Sequence, residues 1–129
     1  MTDTALAEIR TAVDRLRALA TAAAHDGDRT RWEVGHTLGS KSRVVVDNHE
    51  QPTVLIETWA AHREQVDDYL AAFASPAVGL GVALLLERTA DEIADCGGFA
   101  TGPVDGPMND RDHNAWSAAL AVARQINAA

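Results

Sequence analysis

A row of carboxylates between residues 87 and 95 is the group of side chains whose spacing most suggests chemistry. Glu87, Asp91 and Asp95 stand four residues apart, and Glu92 lies beside them. On a helix this spacing places like charges on one face, where each pair repels by roughly 0.2–0.5 kcal/mol, and carboxylates late in a helix also oppose its dipole. A solvated helix face, a basic protein partner or a metal site would each account for this unfavourable arrangement.

More acids come before this row, on the segment from residue 60 to residue 74. Glu64, Asp67 and Asp68 are predicted to face solvent, and they extend the acidic surface if the two helices pack antiparallel. A metal is disfavoured because hard cations need about six oxygens from several elements, and one helix spreads its carboxylates too far. We therefore predict no metal site, no cofactor and an unidentified basic protein partner, with these binding candidates: Glu87, Asp91, Glu92, Asp95, Asp67 and Asp68.

Three tryptophans form the second group of candidates. Trp32 lies in the first predicted strand, Trp59 at the junction between the sheet and the next helix, and Trp116 in the last helix. Tryptophans often fill a core because the indole ring buries a large apolar area. If the three rings converged, they would instead line a pocket for a flat ligand such as a nucleotide base. The sequence leaves both interpretations open.

The remaining reactive side chains lack the arrangement that catalysis requires. The five histidines show no HxH or HExxH spacing, and the acids around His113 are explained by capping of the last helix. Cys96 precedes two glycines at a predicted helix C-terminus, where the dipole disfavours a thiolate. We predict no catalytic residue and a protein that is not an enzyme.

Length and charge restrict the function classes. The 129 residues suffice for one core, so a single domain over 1–129 is expected. The net charge of -8 repels phosphate and anionic lipid, which argues against direct nucleic-acid binding and membrane binding. The single cysteine fits a reducing cytoplasm. The N-terminus has no signal-peptide pattern. The longest apolar run, Ala77 to Leu86, is too short to span a bilayer.

The first half of the chain combines one helix with three strands. Apolar residues recur at helical spacing from Thr4 to about Ala24. Three stretches rich in β-branched residues follow, at Arg31 to His36, Arg43 to Asp47 and Thr53 to Trp59. The connections between them are too short for parallel crossovers, so we expect a three-stranded antiparallel meander.

The second half is predicted to be helical. One helix covers residues 60–74 with Tyr69 and Phe73 on its apolar side, and a second starts at Pro76 and ends before Gly97-Gly98. The second helix is apolar all round in its first half, so we expect it to be central and buried. Gly79 and Gly81 are expected where another backbone comes close, in the core or in a homo-oligomer. A Gly/Pro-rich loop at 97–108 precedes the last helix, which gives an α+β fold with about four helices in the order α-β-β-β-α-α-α.

Three segments resemble a family of phage proteins. The strand Val44-Val45-Val46-Asp47, the segment from Tyr69 to Val78 and the closing stretch from Ala119 to Arg124 resemble small uncharacterised proteins of actinobacterial phages and their hosts. Tyr69 and Leu70 stand where that family has histidine and isoleucine. The resemblance covers residues 31–126 and brings no activity or catalytic residue. It implies a small accessory protein that acts on host machinery.

These observations lead to one main hypothesis and two alternatives. The main hypothesis is a non-enzymatic, phage-derived accessory protein of the bacterial cytoplasm that contacts a host protein through an acidic helical surface. One alternative is a protein that sequesters a small molecule or nucleotide in a tryptophan-lined pocket. The other is a minor structural component of the virion.

Overall fold

The computed structural model describes residues 4–24, 29–37, 42–47, 52–99 and 110–129. Within these residues it contains four helices and a three-stranded antiparallel sheet, which confirms the predicted α+β fold and its order α-β-β-β-α-α-α. The elements are α1 (Thr4–Ala23), β1 (Trp32–His36), β2 (Arg43–Asp47), β3 (Val54–Ile56), α2 (Arg63–Phe73), α3 (Pro76–Asp95) and α4 (Asp110–Ala128).

The chain is divided into two compact units. The first contains the described residues of Met1–Arg17 and Gly81–Ala129, and the second contains those of Ala18–Leu80. Residues of α1 and α3 therefore contribute to both units. That the whole chain acts as a single domain stays a prediction.

Small and aliphatic side chains from α1, α3 and α4 form the core of the first unit. Each of the three helices contributes three buried residues, at spacings of three or four apart from the adjacent Ala12 and Val13, which is typical of helices that face a common core. These residues are Ile9, Ala12, Val13, Leu86, Ala90, Ile93, Trp116, Leu120 and Ala123. The predicted amphipathic face of α1 is thus one wall of this core.

The second unit contains the sheet, with the strands in the order β1-β2-β3. The antiparallel register of β1 and β2 runs from Trp32 opposite Asp47 to His36 opposite Arg43. The central strand β2 is buried from Val44 onward, as expected for a strand with neighbours on both sides. The third strand is shorter than the predicted Thr53 to Trp59, because the chain leaves the sheet after Ile56.

The junction between α2 and α3 holds the start of β1. The hydroxyl of Ser75 accepts a hydrogen bond from the Trp32 backbone N–H at 2.9 Å and donates one to the Ala71 carbonyl at 3.0 Å. The backbone N–H of Ala77 also donates to the Thr30 carbonyl at 2.9 Å. The helix begins at Pro76 as predicted, and the Ser75 side chain binds the strand.

The C-terminus of α3 ends as its sequence predicts. Gly97 and Gly98 have φ values of 91° and 111°, a region that side chains other than hydrogen disfavour. The Gly98 N–H donates to the Ile93 carbonyl at 2.9 Å, which is the long bond of a Schellman motif. Most of the loop predicted at 97–108 lies outside the described residues.

The expectation that α3 is buried all round in its first half is wrong. Leu84 and Leu85 are exposed, because α3 turns Leu86, Ala90 and Ile93 toward the core. Close approach of another part of the described chain at Gly81 is also wrong, since a Cβ built there meets no atom within 4 Å, while the alternative of a homo-oligomer interface stays a prediction.

The length and apolar content of the described helices decide whether any of them could cross a membrane. In this part of the chain no single helix is long and apolar enough to cross one, and α2 and α3 reach that length and composition only when counted together as a bent pair.

Candidate functional site

The acidic row on α3 is partly neutralised by α1 within the first unit. Arg17 binds Glu87 and Arg10 binds Asp91, each with a nitrogen–oxygen distance of 3.0 Å. The residue numbers rise along α1 as they fall along α3, so the two helix segments run antiparallel. Exposed ion pairs of this kind stabilise a fold only slightly, but they offset the repulsion within the row. The sequence signal was the seven-residue spacing of Arg10 and Arg17 on one helix.

Glu92 and Asp95 are the members of the row that stay exposed without a partner. In the part of the chain that the structure describes, neither carboxylate makes an ion pair. Arg88, which could have paired with Glu92 along the helix, is exposed as well. The unpaired acidic charge of α3 therefore lies near its C-terminus.

Asp67 and Asp68 have opposite environments in the second unit. Asp67 is 0% exposed, so the prediction that it faces solvent is wrong, whereas Asp68 is exposed as predicted. The Thr58 hydroxyl donates to Asp67 Oδ1 at 2.6 Å, and Arg43 Nε lies 3.8 Å from Asp67 Oδ2. Arg43 also binds Asp68. Burial of Asp67 is tolerated because a cation and a hydroxyl compensate its charge.

The ion pair between Arg43 and Asp67 is not a hydrogen bond. Arg43 Nε and Asp67 Oδ2 are both buried, and neither has a hydrogen-bond partner in the described structure. Because Arg43 comes from β2 and the two carboxylates from α2, the contact sets the rotation of the helix on the sheet. Asp67 therefore has a structural role, and because it is buried it does not belong to the acidic binding surface.

A second buried carboxylate, Asp47 at the end of β2, binds Arg29 and Thr53. Arg29 Nη1 donates to Asp47 Oδ2 at 2.8 Å, and the Thr53 backbone N–H donates to Asp47 Oδ1 at 2.6 Å. The side chain of Asp47 is almost fully buried and that of Arg29 largely so. Asp47 was expected at the end of the second strand, but this ion pair was not predicted, because its partners are 18 residues apart.

The three tryptophans lie in different environments. Trp116 is 1% exposed in the core of the first unit, with its ring centroid 6.0 Å from that of Phe99. In the second unit Trp32 is half-buried and Trp59 is 88% exposed. The indole N–H groups of Trp32 and Trp116 are buried and have no acceptor among the described residues. Trp116 thus has the core role that was one of the two interpretations, and a tryptophan-lined pocket stays a prediction.

An exposed aromatic pair on α2 was not foreseen. Tyr69 and Phe73 are 64% and 59% exposed, and their rings stack with centroids 5.7 Å apart and planes inclined by 15°. Both were expected on the apolar side of the helix, which is wrong. Residues 67 and 69 are separated by about 200° around a helix, so burial of Asp67 turns Tyr69 outward. The signal in the sequence was the four-residue spacing of the two aromatics.

The aromatic pair belongs to a larger exposed surface, which we call the α2 face. Its members share exposure and lie on one side of the helix: Glu64, Gln65, Asp68, Tyr69, Ala72 and Phe73. At 100° per residue these residues span about 180° around the helix, with Glu64 and Asp68 at one edge, Tyr69 and Phe73 at the other, and Gln65 and Ala72 between them. The α2 face is therefore aromatic along one edge and acidic along the opposite edge.

Two other kinds of candidate site are a metal site and a reactive cysteine. No group of three or more histidine, cysteine, aspartate or glutamate side chains is arranged there to hold a metal ion, and Cys96 is exposed. Comparisons with protein-family models, with curated proteins and with solved structures found no match.

Proposed function

We propose that this chain is a non-enzymatic accessory protein that binds another protein through the α2 face. The observation that carries the proposal is the stacked, exposed pair of Tyr69 and Phe73. Aromatic side chains are enriched in protein interfaces and often supply most of the binding energy. A fully buried aromatic side chain covers about 150–250 Å², and Tyr69 and Phe73 keep 64% and 59% of their surface exposed, so the pair still offers a substantial anchor.

The geometry of the pair favours binding over a role in the fold. The two rings already restrict each other by stacking. Ordering them when a partner binds would therefore cost less side-chain entropy than ordering two independent side chains. Asp68, a binding candidate from the sequence, belongs to the same face.

The proposal moves the contact surface from α3 to α2. Glu87 and Asp91 bind arginines of α1, so a partner would have to compete for them. Glu92 and Asp95 remain solvated carboxylates, which need no partner. A phage origin, a host partner and a bacterial cytoplasmic location belong to the same proposal, and only the resemblance of the sequence to phage proteins supports the first two.

Site-directed photocrosslinking in bacterial cells tests the proposal. A Phe73→benzoylphenylalanine variant is expected to form one discrete adduct with another protein on irradiation. The matched control is Leu85→benzoylphenylalanine, because Leu85 is apolar and exposed to a similar extent but lies on α3. Adducts of equal yield from both positions, or none from position 73, would contradict the proposal.

A further inference from the structure

The outer edge of β1 carries backbone groups that β2 does not use. In an antiparallel pair, every second residue bonds to the neighbouring strand, and the residues between them point their N–H and C=O groups away from it. The Thr37 N–H donates to the Ser42 carbonyl at 2.9 Å, so Thr37 and every second residue before it bond to β2. Trp32, Val34 and His36 therefore point their backbone groups to the outer edge, and within the described sheet β1 has no strand on that side.

The junction between α2 and α3 covers the first half of this edge. The Ser75 hydroxyl accepts a hydrogen bond from the Trp32 N–H at 2.9 Å and lies 3.4 Å from the Trp32 carbonyl oxygen. Just before β1, the Thr30 carbonyl accepts a hydrogen bond from the Ala77 N–H. These contacts occupy the positions that a further strand would otherwise take, so no strand can continue along the edge past Trp32.

Val34 and His36 form the second half of the edge, which we call the open edge. Among the described residues, their outward N–H and C=O groups make no hydrogen bond. Val34 is half-buried and His36 is exposed, so solvent reaches this end of the strand. Donors and acceptors spaced in this way along an extended chain are complementary to another extended backbone, which is how a sheet edge takes up a further strand.

We propose that the open edge pairs with the open edge of a second copy of this chain, in an antiparallel register centred on Gly35. Val34 then lies opposite the partner's His36, and His36 lies opposite the partner's Val34. Each of these residue pairs makes two backbone hydrogen bonds, so every outward group of the open edge is used in both copies. Glu33 lies opposite the partner's Thr37, so no like charges face each other across the new pair.

The covered half of the edge selects a second copy over a longer strand. A strand that continued beyond the open edge would meet the helix junction at Trp32. The strand β1 itself ends at His36, so the β1 of a second copy stops before it reaches that position. The contact would join two three-stranded sheets into one continuous sheet. It uses neither ring of the α2 face and does not rest on the proposed function.

A few backbone hydrogen bonds between two acidic chains predict a weak dimer. We expect a Kd on the order of 0.1–1 mM, since each bond contributes only modestly and each copy carries a net charge of -8. Sedimentation velocity from about 0.01 to about 1 mM chain measures this Kd. Added NaCl is expected to strengthen the dimer, because screening reduces the repulsion between the copies.

Hydrogen exchange followed by NMR locates the contact on the wild-type chain. The amides of Val34 and His36 are expected to exchange about two- to threefold more slowly at about 1 mM than at about 0.05 mM, because the dimer protects them. The Gly35 amide is the internal control. It points toward Val44 of β2 in the monomer and in the dimer, so its exchange should not depend on concentration.

The variant His36→Pro tests the open edge because proline has no N–H. Proline is tolerated at this position of an edge strand, since the N–H that it removes points away from β2. We expect the Kd to rise at least about tenfold, because half of the intermolecular bonds are lost. The matched control is His36→Ala, which removes the same side chain but keeps the N–H and should dimerise like the wild type. Circular dichroism of both variants verifies the fold.

Distinct results would overturn the proposal. A wild-type chain that stays monomeric at about 1 mM, or Val34 and His36 amides whose exchange is independent of concentration, would refute it. Equal dimerisation of His36→Pro and His36→Ala would also refute it, because the interface would then lie elsewhere. Protection of the two amides only after addition of a bacterial lysate would assign the open edge to a strand of another protein. If His36→Pro does not fold, the exchange of the wild-type amides decides.

Discussion

The buried carboxylate of Asp67 on α2 is bound by two partners, Arg43 of β2 and Thr58, which follows β3. Thr58 supplies a hydroxyl donor and Arg43 a guanidinium at 3.8 Å. Transfer of a carboxylate out of water costs several kcal/mol unless charge and hydrogen bonds compensate it. The hydroxyl of Thr58 makes the closer of the two contacts, and its removal would leave Oδ1 without its donor.

Substitution Thr58→Val tests this contact at nearly constant volume. We expect the free energy of unfolding to fall by about 1–3 kcal/mol, because a buried acceptor loses its partner. Urea denaturation followed by circular dichroism measures the change. The control is Thr89→Val, since the Thr89 hydroxyl bonds to the Leu85 carbonyl on an exposed helix surface. A similar loss in both variants would show that Thr58 has no special role.

Two glycines are expected to respond in opposite directions to the same change. Gly81→Ala adds a methyl group to open space in α3 and should stabilise the chain by roughly 1 kcal/mol through helix propensity. Gly35→Ala places its Cβ 3.0 Å from Val46 Cγ2 across the sheet, so we expect it to destabilise the chain by about 1–3 kcal/mol through overpacking. The two variants are compared by urea midpoint. A destabilising Gly81→Ala would indicate a neighbour at that position.

Long-range contacts orient the helices. Local patterns in the sequence predicted every helix and strand in order, together with the start of α3 at Pro76 and its end before Gly97. The rotation of α2 could not be predicted, because it depends on Arg43, which lies about twenty residues earlier in β2. The partners of the α3 carboxylates lie seventy or more residues away on α1.

The anchoring of β1 by the helix junction gives a prediction for one backbone amide. Ser75→Ala removes the oxygen that accepts the Trp32 N–H. We expect faster hydrogen exchange at Trp32 and a loss of roughly 1–2 kcal/mol in stability, because the Trp32 N–H loses its acceptor. Hydrogen exchange followed by NMR measures both this amide and its neighbours. Ser117→Ala, on an exposed turn of α4, serves as the control, and unchanged exchange at Trp32 would contradict the anchoring.

At the scale of the whole molecule, the net charge follows directly from the composition. Nineteen acidic residues face eleven basic ones, and the folded chain must hold this excess in a small volume. Several arginines are placed where they relieve it: Arg10, Arg17, Arg29, Arg43 and Arg124 all bind carboxylates. The excess can be counted from the sequence, but these pairs cannot be located from it, since each joins segments distant in sequence.

The residual charge predicts how stability responds to salt. Raising NaCl from about 0.01 to 0.15 M shortens the Debye length from roughly 30 to 8 Å. We expect the urea midpoint to rise over this range, because screening weakens self-repulsion more than it weakens the exposed ion pairs. The double variant Glu92→Gln with Asp95→Asn should show a smaller rise, since it carries two fewer unpaired charges. A midpoint that falls with salt would mean that the ion pairs dominate.

The stacked rings of α2 also make the chain its own spectroscopic probe. Tyr69 is the single tyrosine, so any signal specific to tyrosine reports on the α2 face alone. Its ring protons are shifted by the ring current of Phe73 as long as the stack persists. Isotope-labelled tyrosine would therefore give one resonance set that reports the stacked state directly, without a dye and without alteration of the surface.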